Sequence, residues 1–227
     1  MIPRLLAVLL ALALLATGCS KDSGGDGVSP EQRLAAAKKK LDATTGVRIG
    51  LSTERLPAGT NGLVRADGVG THAPAFKGDI TVAVSGVNAD AAVVAVDGKV
   101  YAKLPFTSSF AQIDPADYGA PDPAALMAQD GGLSSLLTEA KDVTEGDQVR
   151  SGKRVLTTYH ATVPGSAVAA VIPSASESAD FDATFTVDDQ DRLAGARLTG
   201  PFYPKAGDVT YEITFDGYGV SEDIKAP

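Results

Sequence analysis

The stretch 90–104, DAAVVAVDGKVYAKL, constrains the fold more than any other part of the chain. Two β-prone runs flank Asp97-Gly98, a pair favoured in the two-residue type I′ turn, where both central residues take positive φ. With that turn, Val96 faces Lys99, Ala95 faces Val100, Val94 faces Tyr101, Val93 faces Ala102 and Ala91 faces Leu104. Side chains alternate between the two faces of a sheet. One face of the hairpin therefore carries Ala91, Val93, Ala95, Val100, Ala102 and Leu104, all apolar and mostly small. The other carries Val94, Val96, Lys99, Tyr101 and Lys103, and can meet water. The apolar face needs a cover, which is either a protein core or a ligand.

The neighbouring sequence supplies more strands than helices. Ser29-Pro30-Glu31-Gln32 is a helix start, with Ser as cap, Pro at the first helical position and Gln32 completing a capping box. Leu34, Ala37 and Leu41 share one face of that helix. Arg33 and Lys38 to Lys40 lie mostly on the other, which reads as a solvated face, and Gly46 is the expected stop. Val47, Ile49 and Leu51 alternate as a strand. The segment 61–76 is interrupted by Gly, which predicts bent or bulged strands. The run 79–85 puts Ile80, Val82 and Val84 on one face. Asp114-Pro115 and Asp122-Pro123 read as caps of short helices, and further helices are expected at 124–129, 133–141 and 166–172, with 142–147 as a connection. Strand pairs follow at 149–163 and 181–199, and a last strand at 208–218. Hairpin-sized strand runs with a few grouped helices predict an α+β fold built on one large antiparallel sheet.

The chain has 227 residues, 44% of them hydrophobic but only 6% aromatic, with no Trp, so Ala, Val and Leu must build the core. The net charge is −8. That argues against a nucleic-acid partner, whose binding rests mainly on basic contacts to phosphate. The N-terminus has Arg4 and an apolar run, residues 5–16, too short to span a bilayer. It ends in Ala16-Thr17-Gly18-Cys19, small residues before the chain's one Cys. This resembles a bacterial lipobox, in which Cys19 becomes the acylated N-terminus, palmitate among its acyl groups. Residues 1–18 then form a lipoprotein signal peptide, 19–28 an acylated Cys with a flexible Gly-rich tether, and 29–227 the domain. Multiple acyl chains anchor stably, placing the domain on the extracytoplasmic face of the cell membrane.

No arrangement of residues points to catalysis. His72 and His160 have no Cys or second His at ligand spacing, so a zinc site is not expected. No G-x-S-x-G elbow or P-loop occurs. Asp188-Asp189-Gln190-Asp191 lacks the Gly and late Glu of a calcium loop and reads as a solvated turn. No enzyme activity, cofactor or metal is expected. Small residues on the apolar face leave room beneath the sheet, and helices bearing Leu126, Leu133, Leu136 and Leu137 are placed to roof it. A dry cavity for acyl chains needs such a lining. A close-packed core, in which Ala lets a helix approach, satisfies the same pattern.

Several short motifs in order resemble the LppX/LprA/LprF/LprG lipoprotein family of mycobacteria and related actinobacteria. They are Gly18-Cys19, the strand Gly78-Asp79-Ile80-Thr81-Val82, and Val96-Asp97-Gly98-Lys99-Val100-Tyr101-Ala102. Asp130-Gly131-Gly132-Leu133, the segment 163–173 with Val168 and Ile172, and Lys225-Ala226-Pro227 continue the match. The resemblance implies a curved half-barrel similar to LolA and LolB, packed against helices around an apolar cavity. It also implies non-enzymatic carriage of acylated lipids or glycolipids across the cell envelope, with a membrane lipid transporter as a further partner. The cavity lining it suggests is Ile80 first, then Val82, Val84, Val93, Ala95, Val100 and Ala102, with Leu133, Leu136 and Leu137 as the roof. The alternative is a structural or interaction lipoprotein of the envelope without a lipid cargo.

Overall fold

The computed structural model describes residues 27–227 except Gly119 and Pro204. Cys19, the expected signal peptide and most of the expected tether lie outside the described residues. The first element is α1 (Pro30–Asp42), and its start is the expected capping box: the Ser29 hydroxyl accepts from the Gln32 N–H, and the Gln32 side chain accepts from the Ser29 N–H. Leu34, Ala37 and Leu41 are its buried residues. The helix stops at Asp42, earlier than expected. Gly46 instead opens the first strand, where a side chain would collide with the Val220 carbonyl.

The strands are β1 (Gly46–Ser52), β2 (Gly62–Thr71), β3 (Ala75–Val84), β4 (Val87–Val96), β5 (Lys99–Lys103), β6 (Ala111–Ile113), β7 (Lys141–Ser151), β8 (Arg154–Val163), β9 (Phe181–Asp188), β10 (Leu193–Gly200) and β11 (Val209–Asp216). All pair antiparallel in one sheet of order β6-β5-β4-β3-β2-β1-β11-β10-β9-β8-β7. The order follows the chain except that β1 pairs with β11 at the centre and the consecutive β6 and β7 lie at opposite edges. The sheet is curved and open, with β6 and β7 as its edges. Two short helices join it, α2 (Leu136–Glu139) and α3 (Gly165–Val171). The fold is therefore α+β, as the strand and helix runs predicted.

The β4–β5 hairpin has the expected register, Val96↔Lys99 through Val93↔Ala102. Asp97 and Gly98 both have positive φ, 54° and 67°, as a type I′ turn requires. The hairpin's second face differs from expectation. Val94 is buried, packed with Ala75, Val96 and Phe110 beneath Ile224 of the C-terminal segment. The Gly-rich region resolves into β2 and β3, with a bulge between Leu63 and Arg65. The expected helix at 133–141 is a 3₁₀ turn (Leu133–Ser135) followed by one α turn, and that at 124–129 shortens to a 3₁₀ turn (Ala125–Met127). The supposed connection 142–147 is strand, because β7 starts at Lys141. An edge strand whose one buried residue is Val143 has no apolar alternation to betray it, and two register shifts break its period further.

The register divides the sheet into two ends. A near end holds Gly46, Thr71, Ala75, Val96, Lys99, Asp188 and Leu193; a far end holds Ser52, Gly62, Val84, Val87, Lys103, Gly200 and Val209. Helix α1 lies across the near end. Arg33 pairs with Asp191 in the β9–β10 turn at 2.9 Å, and the Leu41 carbonyl meets His72 in the β2–β3 turn. The inner face of β8–β11 is filled by Tyr159, Phe181, Phe185, Leu198, Tyr211 and Phe215, packed with α1, α2 and α3 into the main core.

Candidate functional site

The inner face of β2–β5 is built differently from the rest. On it β2 presents Ala66, Gly68 and Gly70, paired with Ile80, Gly78 and Phe76 of β3. Those residues pair in turn with Ala91, Val93 and Ala95 of β4, and the last two with Ala102 and Val100 of β5. Apart from Phe76 and Ile80, side chains here are absent or small, so the volume above them must be filled by something reaching in. At the near end two large side chains do this. A Cβ on Gly68 would lie 2.6 Å from the Phe76 ring, and one on Gly70 would lie 2.6 Å from Met127 Cγ. Phe76 and Met127 thus occupy the space that two glycines leave. Phe76, Ala91, Val93, Ala95, Val100 and Ala124 form a separate small core, with Ile80, Ala102 and Ile113 packed against it.

Met127 is held in place by polar contacts that sequence reasoning missed. Both ring nitrogens of His72 lie 2.7 Å from backbone carbonyls, Nδ1 from Met127 O and Nε2 from Leu41 O. One half-buried imidazole therefore joins the C-terminus of α1 to the segment carrying Met127. Lys38 adds to the clamp. Its ammonium donates to Asp42 Oδ2 at 2.6 Å and to the Gln129 carbonyl at 2.8 Å. Gln129 Nε2 in turn donates to the Asp42 carbonyl at 2.8 Å. Lys38 is thus not on a solvated face, contrary to expectation. No signal in the sequence ties Lys38 to Gln129, since they are far apart in the chain and meet only through the fold.

Burial on this inner face runs out toward the far end. Ala95 is fully buried, Ala91 nearly so, Ile80 and Val82 are half-buried, and Val84 is 39% exposed. The far end of the other half is closed. Phe202 packs edge-on to Phe181 and Tyr211, and the Tyr211 hydroxyl bridges Tyr203 and the Leu63 carbonyl, to which it donates at 2.6 Å. Burial, with the neighbouring Tyr203, pushes the Tyr211 phenol far above its ordinary value, so it stays neutral and remains a donor. Among the described residues the apolar inner face of β3 is thus least covered at Ile80, Val82 and Val84.

The ten candidate lining residues fall into two groups. Ile80, Val93, Ala95, Val100 and Ala102 come together in the small core, and Val82 and Val84 continue it outward. Leu136 and Leu137, with Leu133 against them, belong to the main core beside α1 instead. The cover over the hairpin is Ala124 and Ile113. Two surface concavities, of about 380 and 310 Å³, lie mostly on the outer face. Arg65, Asp67, Asp79, Thr81, Asp90 and Lys103 line the first, and by register all point away from the side of Ala91. Ile80 is the one candidate residue that borders it.

The acidic turn also departs from expectation. Asp188 is buried and accepts from the Gln190 and Arg192 N–H groups and from Arg192 Nε, all within 2.9 Å. Burial alone would raise its carboxyl, but these donors outweigh it and hold it below the usual range. It is a structural carboxylate. Among the described residues there is no cluster of three or more His, Cys, Asp or Glu placed to hold a metal ion. Nor is any helix among them long and apolar enough to cross a membrane.

The whole domain has counterparts. LprF from Mycobacterium bovis superposes with a TM-score of 0.69 at 15% identity, covering 87% of this chain and 96% of that one. The lipoprotein LppX from Mycobacterium tuberculosis superposes with a TM-score of 0.62 at 13% identity, covering 86% and 98%. At such identity the likeness establishes a shared fold. No curated protein matches the chain closely enough in sequence to count as a relative. The sequence model of the LppX_LprAFG lipoproteins, however, matches residues 29–224. That match spans α1, all eleven strands and the inner face between them, and the chain belongs to the LppX_LprAFG lipoprotein family.

Proposed function

We propose that this protein is a membrane-anchored carrier that takes the acyl chains of a lipid or glycolipid onto the inner face of β2–β5 and moves them across the envelope. The observation that carries the reading is the unequal construction of the inner face. The half under β8–β11 is filled by aromatic and aliphatic side chains. The half under β2–β5 is lined by Gly, Ala and Val, is plugged at one end by Phe76 and Met127, and opens at the other. An acyl chain entering beside Val84 meets Val82, Ile80 and Ala91, and displaces Met127 to go deeper. Each methylene buried contributes about 0.8 kcal/mol, so chains bind tightly without a charged contact. Acylation at Cys19 holds the domain at the extracytoplasmic face of the membrane, and a membrane lipid transporter is the partner that would supply or receive cargo. No chemical step is involved.

Ile80→Trp places an indole at the open end of this track. Native mass spectrometry and lipid extraction of the exported protein are expected to show an acylated lipid on the unaltered chain and much less on the variant. Equal lipid on both would refute the lining role. A second reading, an envelope lipoprotein without cargo, is favoured by the close fit of Phe76 and Met127 over Gly68 and Gly70. Protein that carries no lipid and refuses added glycolipid would establish it.

A further inference from the structure

Seven large hydrophobic residues are exposed among the described residues, and four of them lie at one corner of the sheet. Val84 and Val87 flank the β3–β4 turn, 39% and 68% exposed; Leu104 and Phe106 follow β5, 49% and 101% exposed. Both tips lie at the far end of the sheet: β5 ends at Lys103 opposite Ala92, five residues short of the β4 start, and the chain turns there at Leu104–Thr107 before returning as β6. No charged residue occurs from 80 to 89 or from 104 to 113. The opposite end of the sheet contrasts with this: its turns carry Asp97 and Lys99, Lys153 and Arg154, and Asp189, Asp191 and Arg192. Val84 pairs with Val87 on the inner face, two residues beyond Val82 and four beyond Ile80. The exposed tip therefore continues the apolar track rather than forming a separate patch.

We propose that these two tips dock the protein on a lipid surface, with Phe106, Val87 and Leu104 entering the bilayer interface. Uncharged tips with exposed apolar side chains lose little on leaving water and gain from burial among acyl chains. The protein as a whole is acidic, so the docking is apolar rather than electrostatic and holds on neutral lipid at high salt. What the docked surface delivers rests on the carrier reading; the docking itself does not.

The chain has no Trp, so Phe106→Trp supplies a single reporter, and Lys153→Trp at the opposite end supplies its control. Both are made in residues 20–227, which lack the apolar run 5–16 as well as Cys19, so that neither brings vesicles to the domain. With vesicles of phosphatidylcholine brominated in the acyl chains, Phe106→Trp emission is expected to shift to the blue and be quenched, equally at low and high salt. Lys153→Trp is expected to do neither. Phe106→Trp as unquenched as Lys153→Trp overturns the docking. Adding Val87→Asp is expected to weaken the quenching, and unchanged quenching removes the β3–β4 tip from the site. Lipid extraction from the same protein keeps the two readings apart. Lipid-loaded protein with an unquenched reporter overturns docking and leaves the carrier; a quenched reporter on lipid-free protein supports docking and removes the carrier.

Discussion

Gly78 sits where β2 and β3 approach each other most closely, and adding one methyl group there tests that packing. A Cβ on Gly78 lies against the Asp67 carbonyl oxygen and 2.6 Å from Gly68 Cα. Carbon atoms in contact want about 3.5–4.0 Å, so β2 must retreat by about 1 Å. The obstructing atoms are backbone, fixed by ladder bonds on both sides. Overpacking costs about 1–3 kcal/mol where neighbours yield. Here they do not, so the upper end applies. The reduced freedom of the unfolded chain returns about 0.4–1 kcal/mol. Gly78→Ala should therefore lose about 2–3 kcal/mol, a fall in Tm of roughly 4–12 °C for a domain of this size. Gly70→Ala is the control. Its Cβ meets Met127 Cγ at 2.6 Å and Ile49 Cδ1 at 3.2 Å, the ends of flexible side chains. Met127 can turn aside, so the net change should stay within about 1 kcal/mol. Thermal and urea unfolding followed by circular dichroism measure both. Equal stability of the two variants would refute the claim that backbone contact, rather than side-chain contact, sets the β2–β3 approach.

Three further outcomes follow from the buried polar groups. Asp188 has its carboxyl held below the usual carboxylate range, so its stabilising contribution is complete above the ordinary carboxyl value and lost as pH falls through the lower folded-state value. Asp188→Asn should cost about 2 kcal/mol at pH 7, a gap in urea unfolding that narrows below about pH 4; a gap independent of pH would contradict the assignment. His72→Phe strands the Met127 and Leu41 carbonyls at a cost of about 1–3 kcal/mol. Hydrogen exchange should then accelerate in residues 124–135 more than elsewhere, and uniform protection would show that His72 clamps nothing. Burial raises the phenols of Tyr159, Tyr211 and Tyr218. Their native state keeps its protons, so stability falls as pH rises past 10, and absorbance at alkaline pH should show these three ionising only with unfolding. Smooth titration of all six tyrosines of the folded protein near pH 10 would refute it.

The sequence by itself determined the local features whose causes lie within a few residues. The α1 capping box, the Asp97-Gly98 turn with its register, and the apolar face of Val93, Ala95, Val100 and Ala102 were all legible, because short-range stereochemistry and strand alternation fix them. The same holds for the Asp114 and Asp122 caps, whose carboxylates accept from Ala116 and Ala124. Tertiary structure decided the rest. It alone paired β1 with β11, turned the polar segment 142–147 into an edge strand, and buried Asp188. It also divided the leucines expected to form one roof, sending Leu136 and Leu137 to the main core and leaving Ala124 over the hairpin. These outcomes depend on which distant surfaces meet, and no local period encodes that. The placement of Phe76 and Met127 over two glycines is of the same kind. A glycine in a strand shows only that a side chain is missing, and the folded chain decides what takes its place.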